Sequence, residues 1–258
     1  MHAGSFANPF LRTSQPSHIV AVIPARYEST RFPGKPLADI AGRPMIEHVY
    51  RRTADTRGID AVVVATDDER IANAVERFGG VVRMTRSGHR TGTDRIAEVA
   101  SDLQCEIVVN VQGDLPLVEP GMIAEVVAPL RAEPSLVLST LRQAISDRSE
   151  LTNPNVVKVV VDAHDNALYF SRASIPFQRE SGTTFKHIGL YGYRRDFLLT
   201  FAALPQTPLE RSESLEQLRA LEHGFRIRAV ETAFESIEVD TPEDLERVRR
   251  RLATPAHM

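Results

Sequence analysis

Short apolar runs alternating with amphipathic segments constrain this chain more than any other feature. The runs HIVAVIP (18–24), AVVVAT (61–66), EIVVNVQ (106–112), SLVLSTL (135–141) and VVKVVVD (156–162) have the length and β-branched character of buried strands. Pro44–Ala54, Asp68–Phe78 and Thr93–Leu103 lie between the early runs and carry helical periodicity. Such alternation with short connections predicts an α/β fold built on a mostly parallel, doubly wound sheet. The rhythm changes after Leu141. There ALYFSR and KHIGLYGY alternate like half-exposed strands, which predicts an antiparallel excursion around 164–224. SESLEQLRALEHG (212–224) reads as one helix with Leu215, Leu218 and Leu221 on one side and Gly224 at its end. SIEVD (236–240) reads as a last strand, followed by a helix capped by Thr241 with Pro242 at its first position. No repeat or linker divides the chain, so residues 18–258 are expected to form a single domain behind a flexible tail at 1–17.

Composition narrows the function. Lys and Arg number 31 against 34 Asp and Glu, a net charge of −3, which argues against a broad footprint for nucleic acid. An anionic ligand must then be met by a local cluster of cations. Cys105 is the only cysteine, so neither an internal disulfide nor a thiolate metal centre can form. Residues 1–17 lack the basic-then-apolar order of a signal peptide, and the apolar runs fall far short of a bilayer span. A cytoplasmic protein that does not engage a membrane is expected.

The cluster is found in IPARYESTRFPGKPL (23–37), which gathers Arg26, Arg31 and Lys35 among three prolines and a glycine. It follows the first strand, and ligands of open α/β sheets bind at that carboxyl edge. Arginine meets phosphate bidentately and lysine as a point charge, whereas the plain alternative is a solvated loop whose cations pair with nearby acids. As a phosphate-binding cation too, Lys35 is expected to be exposed on its loop, so its loss should weaken catalysis more than folding. Neither G-x-G-x-x-G nor G-x-x-x-x-G-K-[ST] occurs, which argues against a dinucleotide fold and a P-loop. Asp114 follows the strand EIVVNVQ, and Asp240 follows SIEVD. If both strands run parallel to the first, the two carboxylates reach the edge of the basic loop, where Mg2+ bridging to phosphates is one use for them. Asp240 has a rival role beside a helix N-terminus, and Asp114 could serve a turn.

IPARYESTRFPGKPL, MTRSGHRTGTDRIAEV, VNVQGDLPLV, NPNVVKVVVD, ALYFSRASIPF, KHIGLYGYRR, LEQLRALEHG and VDTPEDLERVR occur in that order between Ile19 and Arg251. Together they resemble the 3-deoxy-manno-octulosonate (Kdo) cytidylyltransferases, or CMP-Kdo synthetases. The resemblance implies a nucleotide-diphospho-sugar transferase-like fold with a small antiparallel dimerisation portion, and a homodimer. It implies the conversion of CTP and Kdo, an acidic eight-carbon sugar, to CMP-Kdo and pyrophosphate with Mg2+, for bacterial lipopolysaccharide or capsule. By the same resemblance Arg26, Arg31 and Lys35 would hold the CTP phosphates, with Arg86, Thr91, Gly92 and Thr93 near the nucleotide. Asp114 and Asp240 would hold the metal; Lys35, Arg26 and both aspartates would carry catalysis. Gln112, Arg172, His187, Tyr191, Glu216 and Gln217 would line the sugar pocket.

Three departures stand out. Leu115 replaces a common glutamate, Glu238 replaces a small residue, and the connection from Pro176 to Lys186 is short. QGDLPLV and AFESIEVDTPED resemble instead the branch acting on 8-amino-Kdo, which leaves that sugar or another acidic one as alternative acceptor. A nucleotide-binding module without turnover is disfavoured by intact Asp114 and Asp240.

Overall fold

The computed structural model describes residues 19–28 and 32–253, so the tail at 1–17 and Arg31 lie outside the described residues. The first half runs β1 (Ile19–Ala25), β2 (Asp39–Ile40), β3 (Arg43–Pro44), α1 (Met45–Ala54), β4 (Ala61–Thr66), α2 (Glu69–Arg77), β5 (Val82–Met84), α3 (Gly92–Ser101), β6 (Ile107–Asn110) and α4 (Pro120–Ala132). The second half runs β7 (Leu138–Ala144), α5 (Ser149–Thr152), β8 (Lys158–Val161), β9 (Ala167–Ser171), β10 (Phe185–Arg194), α6 (Arg195–Ala203), α7 (Pro208–Glu213), α8 (Gln217–Glu222), β11 (Ile227–Glu231) and α9 (Pro242–Ala253).

The main sheet has the order β11-β7-β10-β6-β1-β4-β5. β6, β1, β4 and β5 are parallel neighbours, and β11 pairs parallel with β7. β10 runs antiparallel between β6 and β7, and the β8–β9 hairpin hangs from its first residues. The mostly parallel α/β sheet with a small antiparallel portion is thus as the alternation predicts. The excursion starts earlier than expected, at β8, because Lys158 and Val159 pair with Lys186 and Phe185 at the head of β10.

Helices cover both faces. α1, α2 and α4 bury Ile46, Val49, Ile71, Val75, Met122 and Val126 against one side; α3, α6 and α8 bury Ile96, Val99, Phe197, Phe201 and Leu218 against the other. Covered on two faces, β1 is buried at almost every position and reads as a continuous apolar run. A third, smaller core joins Ile40, Met45 and Leu117 to Val239 and to Leu245 and Val248 of α9. It pins the C-terminal segment beside the loop that follows β6.

Two sequence expectations are corrected. SIEVD is not a strand: Val239 donates its N–H to Asp114 O (2.9 Å) and its carbonyl accepts from Lys35 Nζ (2.8 Å). With those backbone groups taken by a loop and a side chain, no ladder forms there. The helix over 212–224 is two helices, α7 and α8, separated at Ser214, whose φ of 52° is left-handed. The break lets Glu213 accept from Ser171 Oγ (2.6 Å) and Arg172 N (2.9 Å), while Leu215 enters the core.

Candidate active site

Parallel β1, β4 and β6 end at one edge and deliver Arg26, Asp67 and Gln112–Asp114 to it. A cleft of ≈ 220 Å³ opens there among Pro24, Arg26, Lys35, Gly92, Gln112 and Asp114. Its floor depends on Gly113. A Cβ at that residue would lie 2.8 Å from the Pro24 carbonyl oxygen, and backbone cannot yield as a flexible side chain can. Gly113→Ala is therefore expected to cost about 1–3 kcal/mol of stability, the scale of overpacking in a closed site, measured as a lowered denaturant midpoint.

The basic loop is closed at its neck by Gly34 N–H donating to Tyr27 O (2.8 Å). Gly34 has φ 72°, a left-handed value that glycine adopts without strain, and it starts the short 3-10 turn Lys35–Leu37. The turn aims Lys35 into the cleft. Its ammonium donates to Asp114 Oδ2 (2.7 Å) and to Val239 O, and lies 3.5 Å from Asp240 Oδ1. With its side chain 14% exposed, Lys35 is not the free surface cation that the sequence suggests. Loop and C-terminal segment close around it together.

Asp114, Glu238 and Asp240 each offer a carboxylate oxygen, and these atoms lie within 4.8 Å of one another. Asp114 Oδ1 is buried and accepts no hydrogen bond among the described residues. Hard anionic oxygens around a shared point fit a divalent cation such as Mg2+. Asp240 is not needed as a helix cap. Thr241 Oγ1 accepts from Asp244 N (3.3 Å), while Asp244 Oδ2 accepts from the N–H groups of Asp240 and Thr241 (3.1 and 3.0 Å). Leu115, beside Asp114, is buried in the main core.

Arg26 presents a guanidinium whose Nη2 is buried without a hydrogen-bond partner among the described residues. Burial first, and then the charge of Arg95, lowers its pKa from the usual arginine value. An anion arriving there would favour the charged guanidinium and offset both effects. Arg95 is fully buried and pairs with Asp67 (3.0 Å) and Thr85. Sequence reasoning missed Arg95 and Asp67. The available signal was position: Arg95 sits four residues before Val99, on the buried stripe of α3.

Thr91 caps α3, and Thr91 and Thr93 donate their hydroxyls to the two oxygens of Glu216 (3.0 and 2.7 Å). Burial raises the Glu216 pKa against those two hydrogen bonds. Gln217 is buried beside it, with its amide nitrogen unpartnered among the described residues. His187 lies between Phe170 and Tyr191, 2.9 Å from Thr140 Oγ1; burial lowers its pKa to about 3, so the ring is neutral at pH 7. Burial, then Glu216 and Glu238, push the Tyr191 phenol up. Gln112 donates to Asn110 Oδ1 (3.3 Å). Arg172 is tied down by Glu213 O (2.8 Å) and Pro154 O (2.9 Å). Arg86 is the outlier: it is exposed and pairs with Glu98 on α3 (3.3 Å) rather than with the cleft.

A family model for cytidylyltransferases matches residues 20–235. The 3-deoxy-manno-octulosonate cytidylyltransferase of Geobacter sulfurreducens is 58% identical over 248 residues, covering 91% of this chain and 99% of that protein. The chain belongs to this cytidylyltransferase family. Another member, from Solibacter usitatus, is 56% identical over 91% of this chain and 94% of its own length. A solved CMP:2-keto-3-deoxy-manno-octonic acid synthetase complexed with CTP superposes with a TM-score of 0.89 at 46% identity, covering 92% of this chain and 99% of the other. A cytidylyltransferase from Leptospira borgpetersenii, at 16% identity and a TM-score of 0.62 over 93% of this chain and 87% of that one, shares the fold. Among the described residues of this family member, no helix is long and apolar enough to cross a membrane.

Proposed function

We propose that the protein transfers CMP from CTP to the anomeric hydroxyl of 3-deoxy-manno-octulosonate, releasing pyrophosphate. The observation that carries this reading is the convergence of a buried Arg26 nitrogen, unpartnered among the described residues, with Lys35 and the Asp114–Asp240 pair at one sheet edge, within a family whose relatives are named 3-deoxy-manno-octulosonate cytidylyltransferases. Both substrates are anions, so their approach is opposed by repulsion that fixed cations offset. Arg26, Arg31 and Lys35 take the triphosphate, and the same cations hold charge on pyrophosphate as it leaves. Asp114 and Asp240 would hold a divalent cation such as Mg2+. When bound, it supplies a Lewis acid that lowers the pKa of an attacking hydroxyl. Thr91, Gly92 and Thr93 form the N-terminal turn of α3 beside the nucleotide, and Arg86 meets it only if it leaves Glu98.

The sugar lies toward Gln112, Arg172, His187, Tyr191, Glu216 and Gln217. Neutral His187 and Tyr191 suit the hydroxyls of a sugar rather than its charge. Arg172 is the fork for the carboxylate. Arg172→Ala is expected to raise KM for the sugar acid while leaving CTP affinity nearly intact, measured by steady-state kinetics beside CTP titration. Collapse of CTP binding with an unchanged sugar KM would put Arg172 at the other substrate.

Exposed Leu168 and Phe177, on and beside the antiparallel portion, support a homodimer formed through it. The reaction belongs in the cytoplasm with its CTP. The deciding experiment measures pyrophosphate release from CTP with Kdo, 8-amino-Kdo and sialic acid side by side, with ATP replacing CTP and with excess chelator as controls. Turnover that needs CTP, metal and Kdo is expected; equal rates with ATP or in chelator would sink the base preference or the metal.

A further inference from the structure

Glu238 is an exposed glutamate two residues before Asp240. Between them Val239 is fully buried in the small core and held on both sides, its N–H by Asp114 O and its carbonyl by Lys35. With Val239 fixed, Glu238 and Asp240 emerge beside Asp114, where one oxygen of each comes within 4.8 Å of the others. Lys35 already places a positive charge against two of the three.

We propose that Glu238 is a third carboxylate ligand of the divalent cation, added by this chain to the Asp114–Asp240 pair and strengthening its hold on the ion. The inference rests on the metal reading of those two aspartates. Ligand charge sets affinity at hard-cation sites, so an added carboxylate tightens binding. Mg2+ keeps several waters and accepts a further oxygen in place of one of them.

The test titrates wild type, Glu238→Gln, Glu238→Gly and Asp114→Asn with Mn2+ alone, reading free ion by electron paramagnetic resonance, with melting curves on the same samples. Glu238 is exposed, so both of its variants are expected to fold with melting temperatures near wild type. Each is expected to weaken Mn2+ binding about tenfold or more, since loss of even an outer partner of a bound metal costs about 10–100-fold. Binding by both Glu238 variants within about twofold of wild type overturns the proposal. If Asp114→Asn still loses binding in that case, the two-aspartate site stands and only Glu238 is removed from it. If Asp114→Asn is also silent, or wild type shows no saturable binding, the metal reading falls with it. Unchanged Mn2+ affinity together with a raised KM for an amino-bearing sugar would instead make Glu238 a partner for a substrate ammonium and overturn its role as ligand.

Discussion

Asp114→Asn and Asp240→Asn are each expected to lower turnover by at least about a hundredfold, the upper range for disturbing the partners of a catalytic metal. The expectation follows from two opposed forecasts. If Asp240 served only to favour the start of α9, its loss would cost roughly 0.3–1 kcal/mol of stability and leave catalysis almost normal. The cap leaves Asp240 little to add, because Thr241 Oγ1 already accepts from the Asp244 N–H and Asp244 Oδ2 already places a carboxylate at the start of the helix. If Asp114 served only Lys35, the asparagine would loosen one ion pair and spare the chemistry. As metal ligands, both should lose turnover while stability stays level or rises, because an acidic cluster loses one repulsive charge. The double variant should lose far less than the product of the single losses, since groups acting on one ion are not additive. Pyrophosphate release at saturating CTP across a Mg2+ titration, beside melting curves, separates the cases. Near-normal turnover by a slightly destabilised Asp240→Asn would leave Asp114 to hold the ion alone.

β1, β4 and β6 were legible because each falls in a short, uninterrupted apolar run between helical repeats, whereas β5, with Arg83 at its centre, was not. What escaped has a physical reason in each case. α4, PGMIAEVVAPLRA, is apolar around much of its surface and shows little of the one-sided pattern by which helices are recognised. β11 alternates only through Ile227 and Ala229, a signal too short to stand apart from a loop. The break at Ser214 depends on Glu213 reaching Ser171 and Arg172, contacts some forty residues apart that no local pattern contains. In the site, Arg26, Lys35, Gln112 and Asp114 announced themselves by following strands, so their placement at one edge was derivable. Glu238 was visible only as a departure from a pattern. Its proximity to Asp114 is created by a small core that joins α9 to residues on the far side of the sequence.

Lys35→Ala is expected to remove about 2–4 kcal/mol of transition-state stabilisation, the worth of one preorganised electrostatic contact, seen in kcat/KM for CTP. Its effect on stability depends on the metal. Lys35 is enclosed by Asp114, Asp240 and the Val239 carbonyl, so truncation removes the ammonium from among those oxygens. Leaving such partly buried groups unsatisfied costs about 1–3 kcal/mol, discounted here because Asp240 remains about a third exposed to solvent. In chelator the variant should therefore melt below wild type. Added Mg2+ should stabilise the variant more than wild type, because the carboxylates no longer compete between ammonium and ion. Kinetics should not recover in parallel, since the ammonium is also needed against the triphosphate. Lys35→Arg adds a check: it keeps the charge but replaces a compact ammonium with a planar fork, and should restore melting in chelator better than it restores kcat/KM. Equal melting of Lys35→Ala and wild type in chelator, with normal kinetics, would mean that the ammonium neither holds the carboxylates nor meets the phosphates.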